Sequence, residues 1–92
     1  ELDGDILAEY AQVLFLSQGR NFDESLNKLL DDALIKSPNN PSVLTLKGLS
    51  ILEKNQPEHT IKLWEKALQF LSTEQEKDNL KSLIETVKNQ KN

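Results

Sequence analysis

At 92 residues the chain has room for one small domain with a thin core. Hydrophobic residues make up 37% and charged residues 28%, and only three Gly and three Pro are present, which fits an all-α fold and argues against a turn-dense β architecture. A net charge of −4 opposes nucleic-acid binding, no apolar run approaches the roughly 20 residues of a bilayer span, and the lack of Cys excludes disulfides, thiolate metal sites and thiol nucleophiles.

The first predicted helix follows Asp5, read as its N-cap, and carries Ile6, Leu7, Tyr10, Val13 and Leu14 at helical spacing until Gly19 ends the pattern. A second begins at Asn21, which stands in capping-box relation to Glu24, and presents Leu26, Leu29, Leu30, Ala33 and Leu34 before Pro38. The third opens on Asn40 and Pro41, since proline at a first helical turn lacks only a donor that would be unpaired there, and continues through Leu44, Gly48, Ile51 and Leu52 to about Lys54. Pro57 starts the fourth in the same way, with an inner face of Ile61, Trp64, Ala67, Leu68 and Leu71. In the fifth, Thr73 and Glu76 form a second capping box ahead of Leu80, Leu83, Ile84 and Val87. Its charges oppose the helix dipole favourably, with Glu74 and Glu76 early and Lys88 late.

A shift of 34 residues superimposes Tyr10 on Leu44, Leu14 on Gly48, Leu30 on Trp64 and Ala33 on Ala67. A small residue in the first helix of each unit, a bulky one in the second, Ala three positions later and Pro five beyond that is the tetratricopeptide pattern. Gly48 then permits close approach of the paired helix, Ala33 and Ala67 admit the next unit, and Pro38 stops a helix. The predicted architecture is therefore a tetratricopeptide-repeat α-solenoid: one repeat over about 5–40, a second over about 41–72, and a capping helix over about 73–90. Two repeats are fewer than the roughly three a stable array needs, so the last helix has a structural task. With no Met, Glu1 is not an initiator, and the chain is expected to be part of a longer protein with further repeats ahead of it.

In such arrays the second, fifth, ninth and twelfth positions of each repeat face the concave surface. Ala8, Ala11, Phe15 and Gln18, then Ser42, Thr45, Leu49 and Leu52, with Glu53 beside them, are the candidate peptide-binding residues. Phe15, Leu49 and Leu52 lie off or at the edge of the packing stripe and would give the groove an apolar floor for a helical peptide. Trp64 is assigned to the core. His59 has no second ligand at metal spacing, and the Asp31–Asp32 and Glu74–Glu76 carboxylates lie beside no nucleophile. Neither a catalytic constellation nor a cofactor or metal site is expected, and the chain reads as a protein-binding module, not an enzyme.

The run from Leu46 to Leu68, with Gly48, Glu53, Ile61, Trp64 and Leu68 at their spacings and Ser72 to Glu76 after them, resembles the C-terminal repeat region of the cytochrome c maturation tetratricopeptide proteins, the nitrite-reductase haem-attachment subunits among them. Ala8-Glu9-Tyr10-Ala11 and Asn39-Asn40-Pro41 extend the resemblance over nearly the whole chain. Departures are Pro57 where an aromatic is usual, Thr60 in an Ala position and a missing Pro-Gly before the last helix. The resemblance implies a periplasmic chaperone, anchored to the inner membrane through a segment outside this sequence, that holds the C-terminal region of apocytochrome c for the haem-ligation subunits. The alternative is a general tetratricopeptide scaffold or adaptor for another protein complex.

Overall fold

The computed structural model describes residues 4–90, and all of the regular structure among them is helical. Five helices follow one another: α1 (Gly4–Ser17), α2 (Glu24–Lys36), α3 (Pro41–Glu53), α4 (Pro57–Leu68) and α5 (Glu74–Gln90). They pack as neighbours along the chain, α1 on α2, α2 on α3, α3 on α4 and α4 on α5, with α1 also touching α3. The molecule is elongated, 42 × 27 × 22 Å, because each helix is covered mainly by its sequence neighbours.

Local chemistry accounts for the boundaries. α1 ends in a Schellman turn: Gly19 takes φ +68°, its N–H donates to Leu16 O, and Arg20 N–H donates to Phe15 O at 2.8 Å. Asn55, at φ +62°, ends α3 the same way, with its N–H on Leu52 O and Gln56 N–H on Ile51 O. Asn40 caps α3 as expected, its Oδ1 accepting from the N–H groups of Ser42 at 2.9 Å and Val43 at 3.3 Å. Ahead of α5, Thr73 Oγ1 accepts from Glu76 N–H and donates to Glu76 Oε1.

Two expected caps move. α2 is capped by Asp23, whose Oδ1 accepts from Leu26 N–H at 2.8 Å; Asn21 instead donates from Nδ2 to Gln18 O and braces the α1–α2 turn. Asp5 lies inside α1, where its carboxylate accepts a hydrogen bond from Asn40 Nδ2 at 2.9 Å and ties α1 to the α2–α3 turn.

The interior divides into two clusters. The first joins Leu7, Ala8 and Ala11 of α1, Leu26, Leu30 and Ala33 of α2, and Val43 and Leu46 of α3. The second joins Leu44 of α3, Ile61, Trp64 and Ala67 of α4, and Leu80, Ile84 and Val87 of α5. α3 feeds both, so it is apolar on opposite faces, and half-buried Leu34 and Leu49 pack against each cluster. The face expected for α1 is therefore rotated. Ile6, Tyr10 and Val13 are exposed, and the small residues Ala8 and Ala11 take the interior, where only short side chains admit the neighbouring backbones. Leu83 likewise leaves the core at 44% exposure.

Candidate groove between the third and fifth helices

Trp64, 1% exposed, packs its ring edge directly on Gly48 and donates from Nε1 to the Thr45 carbonyl at 3.0 Å. One turn earlier in α4, buried Thr60 donates from Oγ1 to Gly48 O at 2.8 Å. These contacts lock α4 beneath α3 and fix the rotation of α3 about its axis. Its Thr45, Leu49 and Leu52 consequently sit at the margin of the core, half-buried, with Glu53 fully outside.

From the other side, α5 is fixed by Leu80, Ile84 and Val87 against α4 and by an exposed ion pair of Lys88 with Glu65 at 3.9 Å. An open cavity of about 320 Å³ separates the two, lined by Leu52 and Asn55 at the end of α3, Pro57 of α4, and Val87 and Gln90 of α5. Leu83 lies four residues before Val87 and seven before Gln90, on the same face of α5, and extends this wall by about one turn. Leu83, Val87 and Gln90 were not anticipated as site residues, because a terminal amphipathic helix reads as a cap; the exposure of Leu83 within an otherwise buried stripe distinguishes it.

The remaining candidates separate by depth. Ala8 and Ala11 are 3% and 0% exposed and belong to the first core cluster, so they present no surface. Half-buried Phe15 leans on Phe22, with ring centroids 4.8 Å apart, and packs on the same cluster. Gln18 is engaged in the α1–α2 turn, its Nε2 donating to Asn21 O at 3.2 Å. The cavity thus opens between Leu52 and Asn55 of α3 and Gln90 of α5, with buried Val87 at its floor and Leu49, Glu53 and Leu83 outside its lining. Its lining mixes the apolar Leu52, Pro57 and Val87 with the amides of Asn55 and Gln90 and carries no charged side chain, which suits contact area together with hydrogen bonds to a peptide backbone.

Over 77 residues, 80% of its length, the chain is 30% identical to the cytochrome c-type biogenesis protein CycH of Pseudomonas aeruginosa. The chain spans 19% of CycH, about a fifth of this curated relative's length. No family model and no solved structure matches the chain.

Elsewhere, His59 is exposed in the first turn of α4, beside a shallow cavity of about 550 Å³ lined also by Asn55, Gln56, Pro57, Glu58 and Lys62. Asp31 pairs with Lys47 of α3 at 2.7 Å, and Asp32 with Lys28 at 3.7 Å, so both carboxylates serve ion pairs. Among the described residues no group of three or more His, Cys, Asp or Glu side chains is placed to hold a metal, and no helix is long and apolar enough to cross a membrane.

Proposed function

We propose that the chain is a tetratricopeptide-repeat protein-binding module, without catalytic activity of its own, that holds a peptide segment of a client protein along the groove between α3 and α5. The observation that carries the reading is the open cavity between α3 and α5, lined by Leu52, Asn55, Pro57, Val87 and Gln90, with exposed Leu83 one turn earlier on α5 and half-buried Leu49 one turn earlier on α3. The 34-residue offset supports the repeat assignment, since positions filled by Leu30, Ala33 and Leu34 in one unit are filled by Trp64, Ala67 and Leu68 in the next, although Leu14 departs from the pattern where the second unit has Gly48.

The similarity to CycH supports a role in cytochrome c-type biogenesis. In our proposal the module works there in the periplasm as a chaperone-like element that holds the C-terminal region of apocytochrome for haem ligation. A helical peptide of that region, laid with its apolar face on Leu49, Leu52 and Leu83, would bury the groove floor in the helix-in-groove manner.

Titration of the chain with a fluorescently labelled peptide corresponding to an apocytochrome c C-terminal helix tests this directly. Saturable binding weakened at least tenfold by Leu49→Ala together with Leu83→Asp supports the proposal. Binding that ignores both substitutions, or fails to saturate, overturns it.

A further inference from the structure

The cavity between α3 and α5 carries two side chains whose hydrogen-bonding capacity the fold leaves unused. Asn55 lines it from the end of α3 and Gln90 from the last turn of α5; both are exposed, and neither side-chain amide bonds to a partner among the described residues. Other amides are drawn into the structure: Gln18 and Asn21 brace a turn, Asn27 accepts from Ser50, and Asn40 caps α3. The turn does not require the Asn55 amide, since its φ of +62° lies in the left-handed region that glycine adopts without steric penalty.

The size and chemistry of the cavity specify what these amides can meet. Its volume is about 320 Å³, whereas a single helical turn about 10–12 Å across fills roughly 400–600 Å³. Two or three residues of extended chain, about 3.3 Å apiece, are of the right size. The body of a helix has no free backbone donor or acceptor, and a helix end offers only one kind. Extended chain presents both N–H and C=O groups, and so matches amides that each carry donors and an acceptor. With no charged side chain in the lining, a charged group of the occupant would find no partner there.

We propose that this cavity binds an extended stretch of two or three uncharged residues flanking the client's helix, with Asn55 and Gln90 hydrogen-bonding its backbone from opposite walls. The proposal rests on the function proposed above. The body of the client helix lies over Leu49 and Leu83, and the chain straightens where it crosses between Leu52 and Val87.

Titrations with three labelled peptides test it: the apocytochrome c C-terminal helix alone, and the same helix with an Ala-Val-Ala tail at its start or at its end. One of the tailed peptides should bind at least tenfold more tightly than the bare helix. Methylating the backbone nitrogen of the tail's Val, which removes a donor, should abolish that gain. So should Asn55→Gly combined with Gln90→Ala, which should leave the circular dichroism spectrum unchanged and the affinity for the bare helix within about twofold. If the bare helix binds and neither tail adds affinity, the inference is overturned while the function proposed above stands. A gain that survives both the N-methyl group and the double substitution also overturns it, since apolar contact would then account for the tail. If none of the three peptides binds, that function falls and this inference with it.

Discussion

Gly48 and Trp64 behave as a single packing unit. A Cβ added at Gly48 would stand 2.7 Å from Trp64 Cδ1 and closer still to Nε1, so the indole would have to move and would stretch its hydrogen bond to Thr45. Gly48→Ala gains up to about 1 kcal/mol in helix propensity but incurs overpacking, and a net loss of about 1–2 kcal/mol is expected in urea unfolding. Trp64 fluorescence is a suitable probe, since the only Trp is buried in the native state. Thr60→Val keeps the shape of a fully buried side chain but removes its hydrogen bond to Gly48 O, which should cost about 1 kcal/mol in the same experiment. The small residue, the aromatic and their separation were readable from residue order. The hydroxyl was not, because a buried Thr is recognisable as a hydrogen-bond donor only once the Gly48 carbonyl is seen to face it.

At the level of the helices, capping signals decided existence better than position. Asn21 and Glu24 have the spacing of a capping box, yet Asp23 lies in extended backbone and reaches Leu26 N–H, because the Schellman turn at Gly19 and Arg20 delays the helix by two residues. Asp23→Ala should therefore lower the midpoint of thermal unfolding by an amount equivalent to about 1 kcal/mol, and Asn21→Ala by clearly less, as its side chain only braces an exposed turn. Equal effects would show that the cap had been misassigned. The rotation of α1 has a different origin. Its apolar residues cover more than one face, and periodicity cannot say which part a neighbour covers; Ala8 and Ala11 are chosen because α2 and α3 come close only along small side chains. The same ambiguity hid Leu83, which shares the stripe of Leu80, Ile84 and Val87 but stands at its exposed edge.

Over the whole molecule, the two core clusters meet only through α3 and the bridging residues Leu34 and Leu49, so each end depends on the element that closes it. Ending the chain at residue 72 would strip α5 from Ile61, Trp64 and Ala67 and remove one wall of the groove. Such a protein is expected to lose most of its cooperative unfolding transition by circular dichroism, because a short stack depends on its neighbour contacts and isolated helices of about 12 residues are marginal in water. Residue order by itself specified five helices, most of their ends, the 34-residue offset and the pairing of a Gly with a Trp, because these rest on local propensity and on periodicity within one segment. Which of several apolar faces became interior, and therefore which became groove or bare surface, was decided only in three dimensions. Burial belongs to pairs of elements, and the rotation of α3 that exposes the edge of Leu49 and Leu52 is fixed by a hydrogen bond from α4, 19 residues away in the chain.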